Sequence, residues 1–175
     1  MKKAAAVAGT GLFFLIAPGT VAGYMPWLIT RWHVESNGRG SLPLKILGTL
    51  LLLAGLAVLA DSFIRFAVKG LGTPAPPLPT THLVVSGLYR YVRNPMYVAI
   101  AATIFGQALL FGNLTLLGYG AFVCLCFHLF VIAYEEPSLR ARFGTQYAAF
   151  CAAVPRWIPR LTPWQGETPD PKFNG

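Results

Sequence analysis

Charge is what this sequence has least of. Only six aspartates and glutamates occur among 175 residues, and charged residues of both signs make up 11% of the chain, against roughly 25% in an ordinary soluble domain. That deficit points to lipid as the solvent. Cysteine is scarce as well. Cys124, Cys126 and Cys151 are an odd number without a CxxC spacing, which argues against a disulfide framework or a zinc site. Long polar stretches are also missing, so the net charge of +8 does not form the basic stripe, interleaved with polar readers, that nucleic-acid binding requires. Its basic residues sit between uncharged runs, where they orient a membrane protein and attract anionic headgroups.

What is present is a series of apolar runs. Residues 4–30 carry no charge, and as a helix they would extend about 40 Å, more than a bilayer's hydrocarbon core of about 30 Å. This predicts a first span, kinked at Pro18-Gly19. Lys2 and Lys3 ahead of an apolar run, with Val21-Ala22-Gly23 after it, also fit a secretory signal; the apolar character nevertheless continues through Met25, Trp27, Leu28 and Ile29. Residues 44–66 form a second span closed by Asp61 and Arg65, four apart on one helix face, where they read as a snorkelling end-pair before they read as a catalytic acid. Four prolines in residues 70–81 forbid helix and predict a semi-rigid, extended connector.

Residues 94–134 contain no Asp, Glu, Lys or Arg, about twice the length that one span requires. Two helices must be folded into this stretch, and the natural break is Phe111-Gly112-Asn113. The expectation is an all-α integral membrane bundle of four transmembrane helices, with spans at about 4–30, 44–66, 95–111 and 114–134, forming one domain over residues 1–175. Residues 137–152, with Leu139, Phe143, Tyr147 and Phe150 at helical spacing, predict a C-terminal helix lying in the headgroup region or capping the bundle. Lys2, Lys3, Arg65, Lys69, Arg90, Arg93 and the basic residues after Tyr134 outnumber Arg31, Arg39 and Lys45. By the positive-inside rule this puts both termini and the loop 69–93 in the cytoplasm.

Two segments on that side exceed what membrane packing needs: residues 81–97 and the pair Glu135-Glu136. Adjacent glutamates at the mouth of an apolar helix require cations or water, because desolvating an unpaired carboxylate costs several kcal/mol. Alone, Glu135-Glu136-Pro137 reads as a helix start. Arg90 and Arg93 read as interfacial anchors, and Tyr89, Tyr91 and Tyr97 as an aromatic belt. Taken together, carboxylate, guanidinium and aromatic faces are the inventory that a zwitterionic cofactor with an aromatic base and a sulfonium would use.

The stretches Gly87-Leu88-Tyr89-Arg90-Tyr91-Val92-Arg93-Asn94-Pro95-Met96-Tyr97, Glu135-Glu136-Pro137-Ser138-Leu139, Phe143-Gly144-Thr145-Gln146-Tyr147 and Val154-Pro155 resemble the isoprenylcysteine carboxyl methyltransferase and phospholipid methyltransferase superfamily over about residues 80–160. The resemblance implies an S-adenosylmethionine site between the third and fourth spans, walled by the connector and the C-terminal helix. It implies that Thr81, His82, Leu83 and Val84 line the cofactor and that Tyr89 packs on it. Asn94, Pro95, Met96 and Tyr97 would hold its polar end and Glu135 its amino group, with Arg93 supporting the site. The sequence departs from the isoprenylcysteine enzymes twice. Asn94 stands where their Arg-His-Pro-x-Tyr pattern has histidine, and Val131 stands where they carry an arginine for the substrate carboxylate.

Methyl transfer from a sulfonium needs in-line approach and exclusion of water, and no metal. A carboxylate acceptor needs no general base, whereas an amine does, and His82, Glu136 or water could take that proton. Arg93 and Glu136 are the candidate catalytic residues. The expected activity is methylation of a lipid-like or membrane-embedded acceptor, of the isoprenylcysteine carboxyl type, with the acceptor entering sideways from the bilayer. Phospholipid N-methylation and a non-catalytic membrane protein, such as a transporter subunit or assembly factor, are the alternatives.

Overall fold

The computed structural model describes residues 16–34, 41–69, 83 and 85–166. Within them the chain is all-α, with no strand. Thr81, His82, Val84, the connector expected at 70–81 and the side chain of Arg65 lie outside the described residues.

The helix described from Ile16 onward widens into a π-turn at Thr20–Tyr24 before continuing as α1, Met25–Thr30. Pro26 accounts for the widening: it has no N–H to donate, and its ring presses on the carbonyl four residues back. That carbonyl belongs to Ala22, and Gln107 Nε2 donates to it instead at 2.7 Å. The Tyr119 hydroxyl likewise donates to the Val21 carbonyl at 2.9 Å. Polar side chains buried in the bundle thus complete a backbone that proline interrupts, as an apolar solvent demands. The helix passes through residues 21–23 without a break and ends at Arg31 (φ 49°), whose guanidinium lies 4.3 Å from the Trp27 ring centre.

Helix α2, Leu42–Lys69, packs along α3, Pro95–Phe111, through small residues. A Cβ on Gly48 would stand 2.7 Å from the Gly106 carbonyl oxygen, and one on Gly55 would stand 2.5 Å from Thr103 Oγ1. Gly106 is equally tight against the Leu52 amide nitrogen at 2.6 Å. Without a hydrophobic drive between helices in lipid, such backbone-to-backbone contact supplies the van der Waals attraction that joins them. Ala22, Leu59, Met96, Ala99, Ile100, Ile104, Ala108, Leu116 and Val123 complete this core.

The chain reverses at Gly112, which takes the left-handed conformation (φ 69°) that closes α3. Asn113 then caps α4, Leu114–Phe130, its side chain accepting from the Leu116 amide at 2.8 Å. Beyond α4 the expected separation from a C-terminal helix at Pro137 is absent. The helix runs on through a second π-turn, Val131–Glu135, into α5, Glu136–Ala153. Again the π-turn ends two residues before a proline, here Pro137. The real bend comes at Gly144, whose backbone (φ 49°, ψ −123°) is not helical; such angles are open to glycine and strained for other residues.

Large apolar side chains face outward, among them Leu50, Leu53 and Ile64 on α2 and Phe122, Leu125 and Leu129 on α4. Ser62, Thr103, Gln107 and Asn113 are buried. Segments Leu42–Ser62 and Leu114–Ala153 are long and apolar enough to cross a membrane, and Pro95–Phe111 is apolar but shorter. Of the four expected crossings, two meet the length and apolarity of a span among the described residues. Pro95 and Gly112 pin the ends of α3 and keep it short.

Candidate functional site at the charged end of the bundle

At the end where α3 begins, a 3₁₀ turn, Gly87–Arg90, leads through Asn94 into Pro95. An irregular segment, residues 155–164, lies against this turn. The Arg93 amide donates to the Pro155 carbonyl at 2.9 Å, the Arg160 amide to Tyr91 at 2.9 Å and the Trp164 amide to Arg90 at 2.9 Å. Arg90 Nε returns a bond to the Trp164 carbonyl at 2.6 Å, and Asn94 Nδ2 donates to the Arg156 carbonyl at 3.2 Å.

Inside this frame the two glutamates part company. Glu136 is buried (7% exposed) between two guanidiniums. Arg93 Nη1 donates to its Oε1 at 3.0 Å, while Arg156 donates through Nε at 2.6 Å and Nη2 at 3.0 Å. The fork-like grip of Arg156 is the geometry that guanidinium offers a carboxylate, and its donation to Glu136 raises the pKa of Arg156 further above its ordinary value. Arg93 also points Nη1 at Cys151 Sγ, 2.9 Å away, while its Nε is buried without a partner among the described residues.

Glu135, half-buried, has no such neighbours. Its Oε2 accepts from the Tyr97 hydroxyl at 3.0 Å, and no cation pairs with it among the described residues. Tyr89 lies close enough for burial first, and the Glu135 charge second, to push its phenol above the ordinary tyrosine range. The Tyr97 ring packs against Phe127 (centroids 4.7 Å) and Trp157 (6.5 Å). Trp157 Nε1 donates to His128 Nδ1 at 3.1 Å. Tyr97, Val98, Ala101, Leu125, His128 and Trp157 are among the walls of a groove of about 440 Å³ that no Asp, Glu, Lys or Arg among the described residues lines.

Of the residues singled out by sequence, the structure brings Tyr89, Arg93, Asn94, Tyr97, Glu135 and Glu136 to one end of the bundle. Pro95 is buried and Met96 packs into the core beside Leu59 and Ala99. Leu83 joins Tyr147, Phe150, Val154 and Trp164 in a separate apolar cluster. Asp61 lines a second cavity of about 420 Å³ with Gly87, Leu88, Arg90, Tyr91 and Pro163. Sequence reasoning missed Arg156, Trp157 and His128. The available signal was the demand of two glutamates for cations, which Arg93 alone could not meet.

Apolar helices with outward leucines, a small-residue seam and a glutamate–arginine–tyrosine cluster at one end define an all-α membrane protein with a built polar site. Residues 44–146 match the family model of phospholipid methyltransferases. The chain belongs to the phospholipid methyltransferase family, within the integral membrane superfamily that also holds the isoprenylcysteine carboxyl enzymes, and it is a membrane methyltransferase. The matched span takes in Tyr89, Arg93, Asn94, Tyr97, Glu135 and Glu136 and stops short of residues 155–164. No curated protein and no solved structure matches the chain.

Proposed function

We propose that this protein transfers a methyl group from S-adenosylmethionine to a lipid-like, membrane-embedded acceptor. The family generally uses this cofactor, which supplies an electrophilic methyl on a sulfonium. The carrying observation is the contrast at the π-turn: Glu136 takes both arginines, and Glu135 is left with a tyrosine. A half-buried carboxylate without a cation suits an ammonium, and the buried, unpartnered Nε of Arg93 suits a carboxylate. Tyr89, Tyr97 and Trp157 offer aromatic faces for a purine or a sulfonium. These donors and acceptors fit the cofactor's polar end, with Glu135 in the role of amino-group ligand. Thr81, His82, Leu83 and Val84 remain in this proposal as lining, Tyr89 as the residue packed on the cofactor, and Asn94, Pro95, Met96 and Tyr97 as its polar-end support.

Glu136, with both carboxylate oxygens accepting from guanidiniums, is assigned as a positioning residue rather than a base, and Arg93 links it to the cofactor site. Indole N–H only donates, so His128 accepts at Nδ1, and in its neutral form carries its proton on Nε2. It too is poorly placed to accept a proton. A carboxylate acceptor needs no base, whereas an amine would have to lose its proton to Glu135, to His82 or to water. Phospholipid N-methylation is the second reading, favoured by the family that matches. The uncharged groove beside Tyr97 supports an apolar chain reaching the site from the lipid side. The fuller topology belongs to the same proposal: four crossings, both termini and the site at the cytoplasmic face, and α5 at the headgroups.

Glu135→Gln keeps the tyrosine bond and removes the charge. S-Adenosylhomocysteine, titrated calorimetrically into purified protein, is expected to bind this variant at least tenfold more weakly than wild type. Equal affinity overturns the role of Glu135, and no binding to wild type supports the non-catalytic alternative. Labelled cofactor incubated with total lipid then separates a base-labile ester from a stable amine product.

A further inference from the structure

Residues 155–164 are built inside out. Arg156 and Arg160 turn inward, to Glu136 and to the Ala153 carbonyl (2.8 Å), while Pro155, Ile158, Pro159, Leu161 and Thr162 face out. Ile158 is 77% and Leu161 100% exposed. A water-facing strand of chain would reverse this choice, placing the arginines outside. The segment also continues an apolar flank. Trp157 is bonded to His128 on α4, and the neighbouring Leu125, Leu129 and Ile132 are exposed on the same long helix.

We propose that residues 155–164 are a membrane-contact strap, and that Ile158 and Leu161 insert among the acyl chains just beneath the headgroups at the end of α4. The occupant is lipid because Trp157 joins the strap to His128 on α4, a helix that exposes Leu125 and Leu129 on either side of that contact in sequence. The depth follows from the backbone. An irregular segment cannot enter the hydrocarbon core with unsatisfied amides, so the backbone of this one is placed at headgroup level, where the amides of Ile158 and Leu161 can bond headgroups and water. Pro155, Pro159 and Pro163 have no N–H, and the Arg160 and Trp164 amides are bonded to the 87–94 turn. Trp157 and Trp164 have the amphipathic rings that favour this depth. Because Arg156 and Trp157 on the strap reach Glu136 and Tyr97, lipid contact on its outer side holds the site's outer wall in place. The inference rests on the membrane class of the chain and not on its acceptor or cofactor.

The test uses the full chain reconstituted in phosphatidylcholine vesicles, with a small environment-sensitive fluorescent amino acid in place of Leu161, or separately of Ile158, and a control in place of Gln165. Thermal unfolding midpoints matching wild type show that the label leaves the strap seated. At 158 and 161 the emission is expected to be blue-shifted and at least twice as strongly quenched by lipids carrying a nitroxide near the headgroup as at 165. Emission as in water, with quenching by aqueous iodide alone, overturns the proposal. So does nitroxide quenching that is absent at high protein-to-lipid ratio and appears only when the protein is diluted with lipid of the same nitroxide content, since the surface is then covered by a second copy. Binding of S-adenosylhomocysteine is measured on the same samples, so failure of the strap and failure of the cofactor reading are told apart.

Discussion

Along the seam between α2 and α3 the bundle is joined by what is missing from Gly48, Gly55 and Gly106, whose absent side chains let backbone meet backbone. At the end where α3 begins, it is joined by what is added: Arg93, Arg156 and Glu136, with guanidinium forks and carboxylate oxygens filling the space between α3, α5 and the strap. The first region has no charged group and is specified by shape. The second has little regular structure outside its helices and is specified by charge. The difference follows from solvent. Apolar helices in lipid gain nothing from hiding leucines, so close approach of small residues must join them. Where the bundle meets water, buried ions can be matched to partners and hold an irregular segment that packing alone would leave loose.

The seam is most vulnerable at Gly55. Leucine there drives its Cβ into Thr103 Oγ1 and the Ala99 carbonyl, and these atoms belong to or sit upon helix backbone that cannot give way. Overpacking costs about 1–3 kcal/mol even where side chains can adjust, and more where they cannot. Gly55→Leu should therefore yield little folded protein, read as loss of a monodisperse peak in detergent and of a cooperative thermal transition. Gly118 has nothing within 4 Å of its added Cβ, so Gly118→Leu should behave like wild type. Equal damage from both substitutions would mean that the seam is not specified by close approach.

At the charged end the corresponding break is Glu136→Ala, which leaves Arg93 and Arg156 facing each other without a carboxylate. Removing one member of a buried ion pair costs about 3–5 kcal/mol, chiefly because the remaining charge stays buried; Arg93's side chain is only 11% exposed. The single substitution should lower stability by about 3 kcal/mol in chemical unfolding. The double change Glu136→Ala with Arg156→Ala should cost less than the sum of its parts. Strict additivity would show that the triad is a surface arrangement with no coupled burial.

Which parts of this were legible in the sequence follows the same division. Gly112-Asn113 announced a turn by local chemistry, and the structure turns the chain there. The uncharged runs announced helices, because a run of apolar residues has few other ways to satisfy its backbone. Glu135 and Glu136 announced a need for cations, but not which cations, because Arg156 is brought in by the bend at Gly144, a backbone event with no side-chain signature of its own. Pro137 misled for a physical reason. It usually begins or breaks a helix, and here a π-turn absorbs its missing N–H so that α4 runs into α5. The heptad spacing of Gly48 and Gly55 was visible, yet its meaning depends on Gly106, far along the chain and on another helix.

The smallest effect, and the one that tests the border between clamp and cofactor site, is expected at Asn94. The family resemblance gives this position to the cofactor, while its side chain in the structure ties the strap, donating to the Arg156 carbonyl at 3.2 Å. It makes no capping bond to α3, although asparagine before a helix commonly does. One hydrogen bond of this kind is worth about 1 kcal/mol net, so Asn94→Ala should lower stability by about that much. An imidazole N–H can donate to the same carbonyl, so Asn94→His, which restores the pattern of the isoprenylcysteine enzymes, should recover most of the loss. The two roles separate in one pair of measurements. If Asn94 serves the strap, unfolding shifts and affinity for S-adenosylhomocysteine moves less than about twofold; if it serves the cofactor, affinity falls while the unfolding curve stays put, and the polar site reaches one residue deeper into the turn than the hydrogen bonds indicate.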